Sequence, residues 1–119
     1  MITGSCECRA VTFRITGPMR DVIACHCTQC RKTSGHHFAA TRVDDADIEI
    51  TDGGALTWYP SSDQAQRAFC TICGSSLFWK RDGLDKISIC AGSLDGPTGL
   101  TIAKHIHTAD KGDYYTIGE

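Results

Sequence analysis

The sequence predicts an all-β domain of packed or partly closed sheets that binds metal. Three observations predict it: short apolar alternations cut by turn residues along the chain, almost no helical periodicity, and seven of eight cysteines in three tight groups. A length of 119 residues suits one domain spanning residues 1–119. The apolar fraction of 41% is slightly low and only nine residues are aromatic. Bound metal is therefore expected to support the core, because metal-binding free energy is also folding free energy.

The elements read in order as follows. Residues 10–16 alternate, with Val11, Phe13 and Ile15 on one face, and stop at Gly17-Pro18. Residues 28–34 are the one stretch that reads as a short helical turn. Residues 38–43, 48–51 and 56–59 read as strands, with Asp52-Gly53-Gly54 as the turn between the last two. Residues 77–80 and 86–90 flank Asp82-Gly83 and read as a hairpin. Residues 101–107 and 114–117 close the series as two more strands, separated by a turn at Lys111-Gly112-Asp113. The expected architecture is a set of packed or partly closed sheets.

Charge and composition exclude several partners. The net charge is −2 and no basic block occurs, so the electrostatic footprint of a nucleic-acid binder is missing. No apolar run reaches the roughly 18 residues of a membrane span. The start, Met1-Ile2-Thr3-Gly4-Ser5-Cys6, lacks the charged and apolar regions of a signal peptide, so a cytoplasmic location is expected. Thiols stay reduced there, and eight cysteines point to metal rather than to disulfides.

The groups are Cys6-Glu7-Cys8, Cys25-His26-Cys27-Thr28-Gln29-Cys30 and Cys70-Thr71-Ile72-Cys73. Seven ligands are one short of two tetrahedral zinc sites, which suggests one closed site and one with a vacancy. Thiolates on one zinc lie roughly 3.8 Å apart, whereas side chains at i and i+2 of a flat strand are about 6.5 to 7 Å apart. Cys6 and Cys8 must therefore sit where a strand end bends. Cys70 to Cys73 has the knuckle form, with Gly74 after the second ligand to permit positive φ.

Spacing leaves two partitions open. One joins Cys6, Cys8, Cys70 and Cys73 and leaves Cys25, Cys27 and Cys30 as an open triad. The other joins Cys27 and Cys30 to Cys70 and Cys73 in a zinc-ribbon manner. The first is preferred because it keeps three local ligands together. A closed triad completed by His26, His36 or His37 is a further alternative.

Three thiolates on a divalent zinc make a poor Lewis acid for generating hydroxide. Such a site suits a substrate thiol, held as thiolate beside an electrophile, and the natural chemistry is making or breaking a carbon–sulfur bond.

Outside the groups, Cys90 reads as a buried strand residue. His36-His37 line the triad's mouth or face solvent, and His105 and His107 share a polar strand face. Trp58, Tyr59 and Trp79 read as core or rim. Arg31-Lys32 read as solvated charge, with attraction of an anionic substrate as the alternative.

These motifs in this order resemble the glutathione-dependent formaldehyde-activating enzyme family, shared with the centromere protein V domain. The matching pieces are residues 4–8, residues 25–35, and residues 69–79 with Phe69 before Cys70 and Leu77-Phe78-Trp79 at the end. Ala91 to Asp95, His105-Ile106-His107 and Asp110-Lys111 follow.

The resemblance implies an Mss4-like fold. It also implies a structural zinc on Cys6, Cys8, Cys70 and Cys73 and a catalytic zinc on Cys25, Cys27 and Cys30. The implied reaction adds the glutathione thiol to formaldehyde, which classes the family among carbon–sulfur lyases, with glutathione as co-substrate. A non-catalytic zinc domain that binds or carries a thiol is the alternative, and a redox-regulated triad is a third reading. Arg9 departs from the family, whose members usually have glycine after the second cysteine, and the chain is shorter than the founding enzyme.

Overall fold

The computed structural model describes residues 1–118. Its strands are β1 (Ile2–Ser5), β2 (Thr12–Ile15), β3 (Val22–Cys25), β4 (Phe38–Asp44), β5 (Ile48–Thr51), β6 (Leu56–Ser62), β7 (Ala65–Cys70), β8 (Ser76–Arg81), β9 (Lys86–Cys90) and β10 (Ile102–Ile106). The one α-helix among the described residues is α1 (Thr28–Ser34), a seven-residue turn where the sequence places it. The protein is thus an all-β fold of two packed sheets. Among the described residues no helix is long and apolar enough to cross a membrane.

One sheet has three antiparallel strands in the order β1-β2-β5. The other has seven, in the order β10-β3-β4-β9-β8-β7-β6. All its neighbours are antiparallel except β10 and β3, which run parallel. The expected 77–80/86–90 hairpin is β8 and β9, paired through Phe78 with Ile89 and Trp79 with Ser88. The turn at Asp52-Gly53-Gly54 leads out of the small sheet, on β5, into the large one, on β6.

Alternation in residues 10–16 fixes the sheet-to-sheet core. Val11, Phe13 and Ile15 are all buried and pack with Val43, Leu77, Phe78, Ile87 and Ile89. Phe13 and Phe78 meet edge to face with centroids 5.4 Å apart, and Trp58 stacks on Phe78 at 6.1 Å. Each phenylalanine so buried contributes about 1.5–3 kcal/mol. Close approach explains Gly4: it pairs with Phe13 across β1 and β2, and a Cβ there would lie 2.3 Å from the Phe13 ring.

Several expectations need correction. Residues 114–117 form no strand. The tyrosine hydroxyls of this segment meet histidines instead, Tyr114 on His36 and Tyr115 on His26, which fastens the segment by its side chains rather than by a strand ladder. β1, β3 and β7 were not expected. β1 and β3 are four residues each, too short to show a period, and β7 carries Gln66 and Arg67 in mid-strand. His105 and His107 do not share a strand face, because β10 ends at Ile106 and His107 turns left-handed at φ 54°. The parallel pairing of β10 with β3 sets His105 opposite Ala24 and Ile106 opposite Cys25, which draws the end of the chain over the second cysteine group.

Candidate metal centres and the cavity beside them

Cys6 and Cys8 lie just past the end of β1, in a turn closed by the Cys6 N–H on Val11 O at 3.0 Å and the Arg9 N–H on Cys6 O at 3.2 Å. Such a bend is what a Cys-x-Cys pair needs in order to converge. Arg9 adopts φ 67°, the left-handed region that favours glycine, so the turn keeps its shape with an L residue under strain. Across from it, Gly74 sits at φ 79° and donates its N–H to Cys70 O at 2.7 Å, closing the knuckle. Ser75 links the two halves: its Oγ accepts the Glu7 N–H at 3.1 Å and lies 3.1 Å from Cys73 Sγ. Hydrogen bonds from the Ser75 hydroxyl and backbone, with one from the Cys8 backbone, pull the Cys73 thiol down to about 5.

The four sulfurs of Cys6, Cys8, Cys70 and Cys73 all lie within 4.8 Å of one another. Two separations are 3.7 Å, Cys6 to Cys8, and 3.8 Å, Cys8 to Cys70. These match the spacing of thiolates around one zinc and are far beyond the roughly 2.05 Å of a disulfide. The donor set fits a tetrahedral soft-metal site.

The second group sits where β3 ends and α1 begins. Cys25 closes β3, paired with Phe38 of β4. Cys27 caps α1, its Sγ accepting the Cys30 N–H at 3.3 Å. The i to i+3 step of that turn brings Cys30 to the same side as Cys27. The sulfurs of Cys25, Cys27 and Cys30 also lie within 4.8 Å of one another, and no histidine joins them among the described residues.

Their thiols are tuned unequally. Burial pushes Cys30 up to about 12 despite the Arg67 guanidinium, and burial raises Cys25. At Cys27 burial also raises the thiol, but the Cys30 N–H and neighbouring thiols outweigh it, so the group lies below its ordinary value. Three thiols this close cannot all ionise without a compensating cation, and a soft divalent ion supplies one. The triad therefore fits a metal with a protein ligand set of three.

Two supports hold the triad: Arg67, which the sequence reading did not single out, and His26, considered there as a ligand and found here as a brace. On one side lies Arg67 of β7, 5% exposed, whose Nη2 is 3.4 Å from Cys30 Sγ and 3.2 Å from Gln29 Oε1. Its guanidinium sits 5.0 Å over the Phe38 ring, and its Nε and Nη1 are buried with no hydrogen bond among the described residues. The signal was an arginine on a strand running directly into Cys70.

On the other side lies His26, which points away from its two cysteine neighbours and is fully buried. Its Nε2 lies 2.9 Å from His105 Nδ1 and its Nδ1 2.8 Å from Tyr115 Oη. Burial, and then His105, lowers its pKa, so the ring is neutral and ties β3 to β10 and the C-terminal segment. His37 packs 4.8 Å from His26, and His36 meets Tyr114 Oη at 2.6 Å. These rings brace the backbone between Cys25 and Cys27.

A cavity of about 320 Å³ opens directly on the triad, walled by Phe38, Trp79 and Ile106. A larger hollow of about 500 Å³ lies beyond Phe38 and Arg67 but touches none of the cysteines. Trp79 therefore belongs to the site, while Trp58 belongs to the core. Cys90 is half-buried beside the triad, and burial pushes its thiol up to about 12. Arg31 donates to Asp110 O at 3.2 Å at the helix end.

Fold and site together define a class: a two-sheet β protein with one four-cysteine and one three-cysteine cluster, each able to coordinate a metal ion. Residues 1–110 match the profile described as "Glutathione-dependent formaldehyde-activating enzyme", and the chain belongs to that family. A protein of Halomonas elongata described as "Putative glutathione-dependent formaldehyde-activating enzyme" is 33% identical over 86 residues. That match covers 66% of this chain and 55% of the relative, so the chain spans about half the relative's length. An uncharacterized lyase of Schizosaccharomyces pombe is 26% identical over 113 residues, 94% of this chain and 82% of that protein. A crystal structure of a Rhodobacter sphaeroides protein shares the fold, with TM-score 0.68 at 22% identity, covering 87% of this chain and 98% of that one.

Proposed function

We propose that this protein is a carbon–sulfur lyase-type enzyme that adds or removes a small carbonyl electrophile at a thiol held beside Cys25, Cys27 and Cys30, with glutathione as the first thiol to test. The observation that carries the reading is a three-sulfur cluster that opens on a walled cavity, next to a separate four-sulfur cluster. Cys6, Cys8, Cys70 and Cys73 hold a structural zinc in this reading, and the triad holds the catalytic one.

Zinc on three thiolates supplies a position at which an incoming thiol is acidified, and is too electron-rich to favour hydroxide. The chain's own residues do the rest. Arg67 balances part of the negative charge on Cys30 through the 3.4 Å contact. Phe38 and Trp79 give the cavity apolar walls, and the pull of a charge is stronger beside such surface than in open water. The brace of His26, His105 and Tyr115 keeps the backbone of Cys25 and Cys27 in register. Family membership and the lyase relative support the reaction class.

The test is NMR exchange spectroscopy with labelled formaldehyde and excess glutathione. The adduct forms without catalyst, so the readout is the exchange rate above the protein-free control. Acceleration in the native protein, lost in Cys27→Ala, is expected. Absence of acceleration would move the assignment to a domain that binds a thiol without turnover.

A further inference from the structure

The cavity beside the triad carries charge that metal chemistry does not require. Arg20, Arg42 and Arg67 all line it, and no aspartate or glutamate does. The whole chain carries a net −2, so three guanidiniums in one hollow are not a reflection of composition. The nearby acids are spent elsewhere: Asp44 pairs with Lys86, Asp45 with Lys80 at 2.5 Å, and Asp21 Oδ1 accepts the Thr101 N–H at 3.4 Å.

Arg20 is fixed in place. Its Nη2 donates to Ala40 O at 3.0 Å and its Nε to Asp21 O at 3.2 Å. Burial lowers its pKa, and the like charge of the neighbouring Arg42 adds to the effect. Arg42 has no side-chain hydrogen bond or ion pair among the described residues. Buried Arg67 adds a third charge and two unpartnered guanidinium nitrogens.

We propose that this cavity binds the carboxylate of the thiol substrate, with Arg42 and Arg20 as its contacts and Arg67 setting the charge of its wall. The inference rests on the thiol-binding reading of the triad. With a divalent ion, the three thiolates carry one net negative charge against three positive guanidiniums. A bound thiolate together with one carboxylate brings the cavity to neutrality, whereas a neutral thiol leaves it positive. Guanidinium forks suit a planar carboxylate in two-point contact. The substrate class is therefore a mercapto-carboxylate whose two anionic groups reach the triad and Arg42 together.

The experiment titrates the zinc-replete protein calorimetrically with 3-mercaptopropionate and with 2-mercaptoethanol. In parallel, NMR of the arginine Nε–Hε groups follows addition of propionate. The acid is expected to bind about tenfold or more tightly than the neutral thiol, the scale of one charge-assisted contact. Arg42→Gln should bring that ratio close to one, and Arg42→Lys should restore part of it. Equal affinities in the native protein, or an undiminished ratio in Arg42→Gln, would overturn the proposal. If propionate shifts the arginine signals but neither thiol binds, the carboxylate site stands and the thiol reading falls. Silence from propionate and both thiols removes the carboxylate site.

Discussion

Replacing Arg67 by methionine should push metal affinity and metal-free stability in opposite directions. The guanidinium is 5% exposed, its Nη2 holds Cys30 Sγ at 3.4 Å, and its Nε and Nη1 are buried without partners. Loss of a hydrogen bond to a charged sulfur costs about 1.5–3 kcal/mol, or about 10- to 100-fold in affinity for metal at the triad. Cys30 is already pushed up to about 12 by burial, and without the guanidinium it rises further, so metal release should move to higher pH. The metal-free fold meets the reverse balance. It sheds two unsatisfied buried nitrogens, each worth about 1–3 kcal/mol, against a cation–π contact on Phe38 of about 0.5–2 kcal/mol and the Gln29 hydrogen bond of about 0.5–1.5 kcal/mol.

Zinc retained per chain across a chelator series is the assay, with the Cys6/Cys8/Cys70/Cys73 cluster as internal standard. Urea unfolding in excess chelator reads the second half. The triad should empty first in Arg67→Met while the tetrad holds. Unchanged zinc retention at the triad, or a metal-free variant weakened by about 2 kcal/mol or more, would refute the reasoning.

Other outcomes follow from single positions. Arg9→Gly relieves the φ 67° strain and should stabilise the fold by about 0.5–1 kcal/mol in urea unfolding, with zinc content unchanged; a loss of stability would show the Arg9 side chain to be needed. Gly4→Ala drives a Cβ to 2.3 Å from Phe13 and should cost about 1–3 kcal/mol, read as a lower thermal midpoint. Phe78→Ala opens the junction between the sheets and should cost about 3–5 kcal/mol. Burial raises the Cys90 thiol from 9.0 to about 12, so the unfolded chain ionises first. The stabilising contribution is full below pH 9.0 and is lost as pH rises towards about 12. Unfolding curves at pH 8 and about pH 10.5 should accordingly show a smaller alkaline loss in Cys90→Ala than in the native protein, and equal losses would rule out Cys90 as the cause.

Much of the fold was legible because local patterns carry it. The alternation of Val11, Phe13 and Ile15 marked a strand and named its core face, and those side chains do bury against the second sheet. The helical turn at Thr28–Ser34 forms where it was expected, and the structure caps it with Cys27 before and Gly35 after. β3 hid because its four residues run straight into the cysteines without a period. The tail at residues 114–117 misled because its aromatic and β-branched residues look like a strand, while two tyrosine hydroxyls had histidine partners far away in sequence.

By itself the sequence determined the cysteine groups, the all-β class and the family motifs, since each is written in residues a few positions apart. Spacing left two partitions open, and the tertiary structure brings the sulfurs together in the one the family motifs imply. Cys6 and Cys8 reach Cys70 because two sheets packed on Phe13 and Phe78 bring the start of the chain against the knuckle. It also decided what surrounds the triad. Arg20, Arg42 and Arg67 come from separate stretches of chain and share a cavity only through the order β3-β4-β9-β8-β7. Charge convergence over such sequence distances has no local signature, because nothing short of the folded sheet brings those guanidiniums within reach of one another.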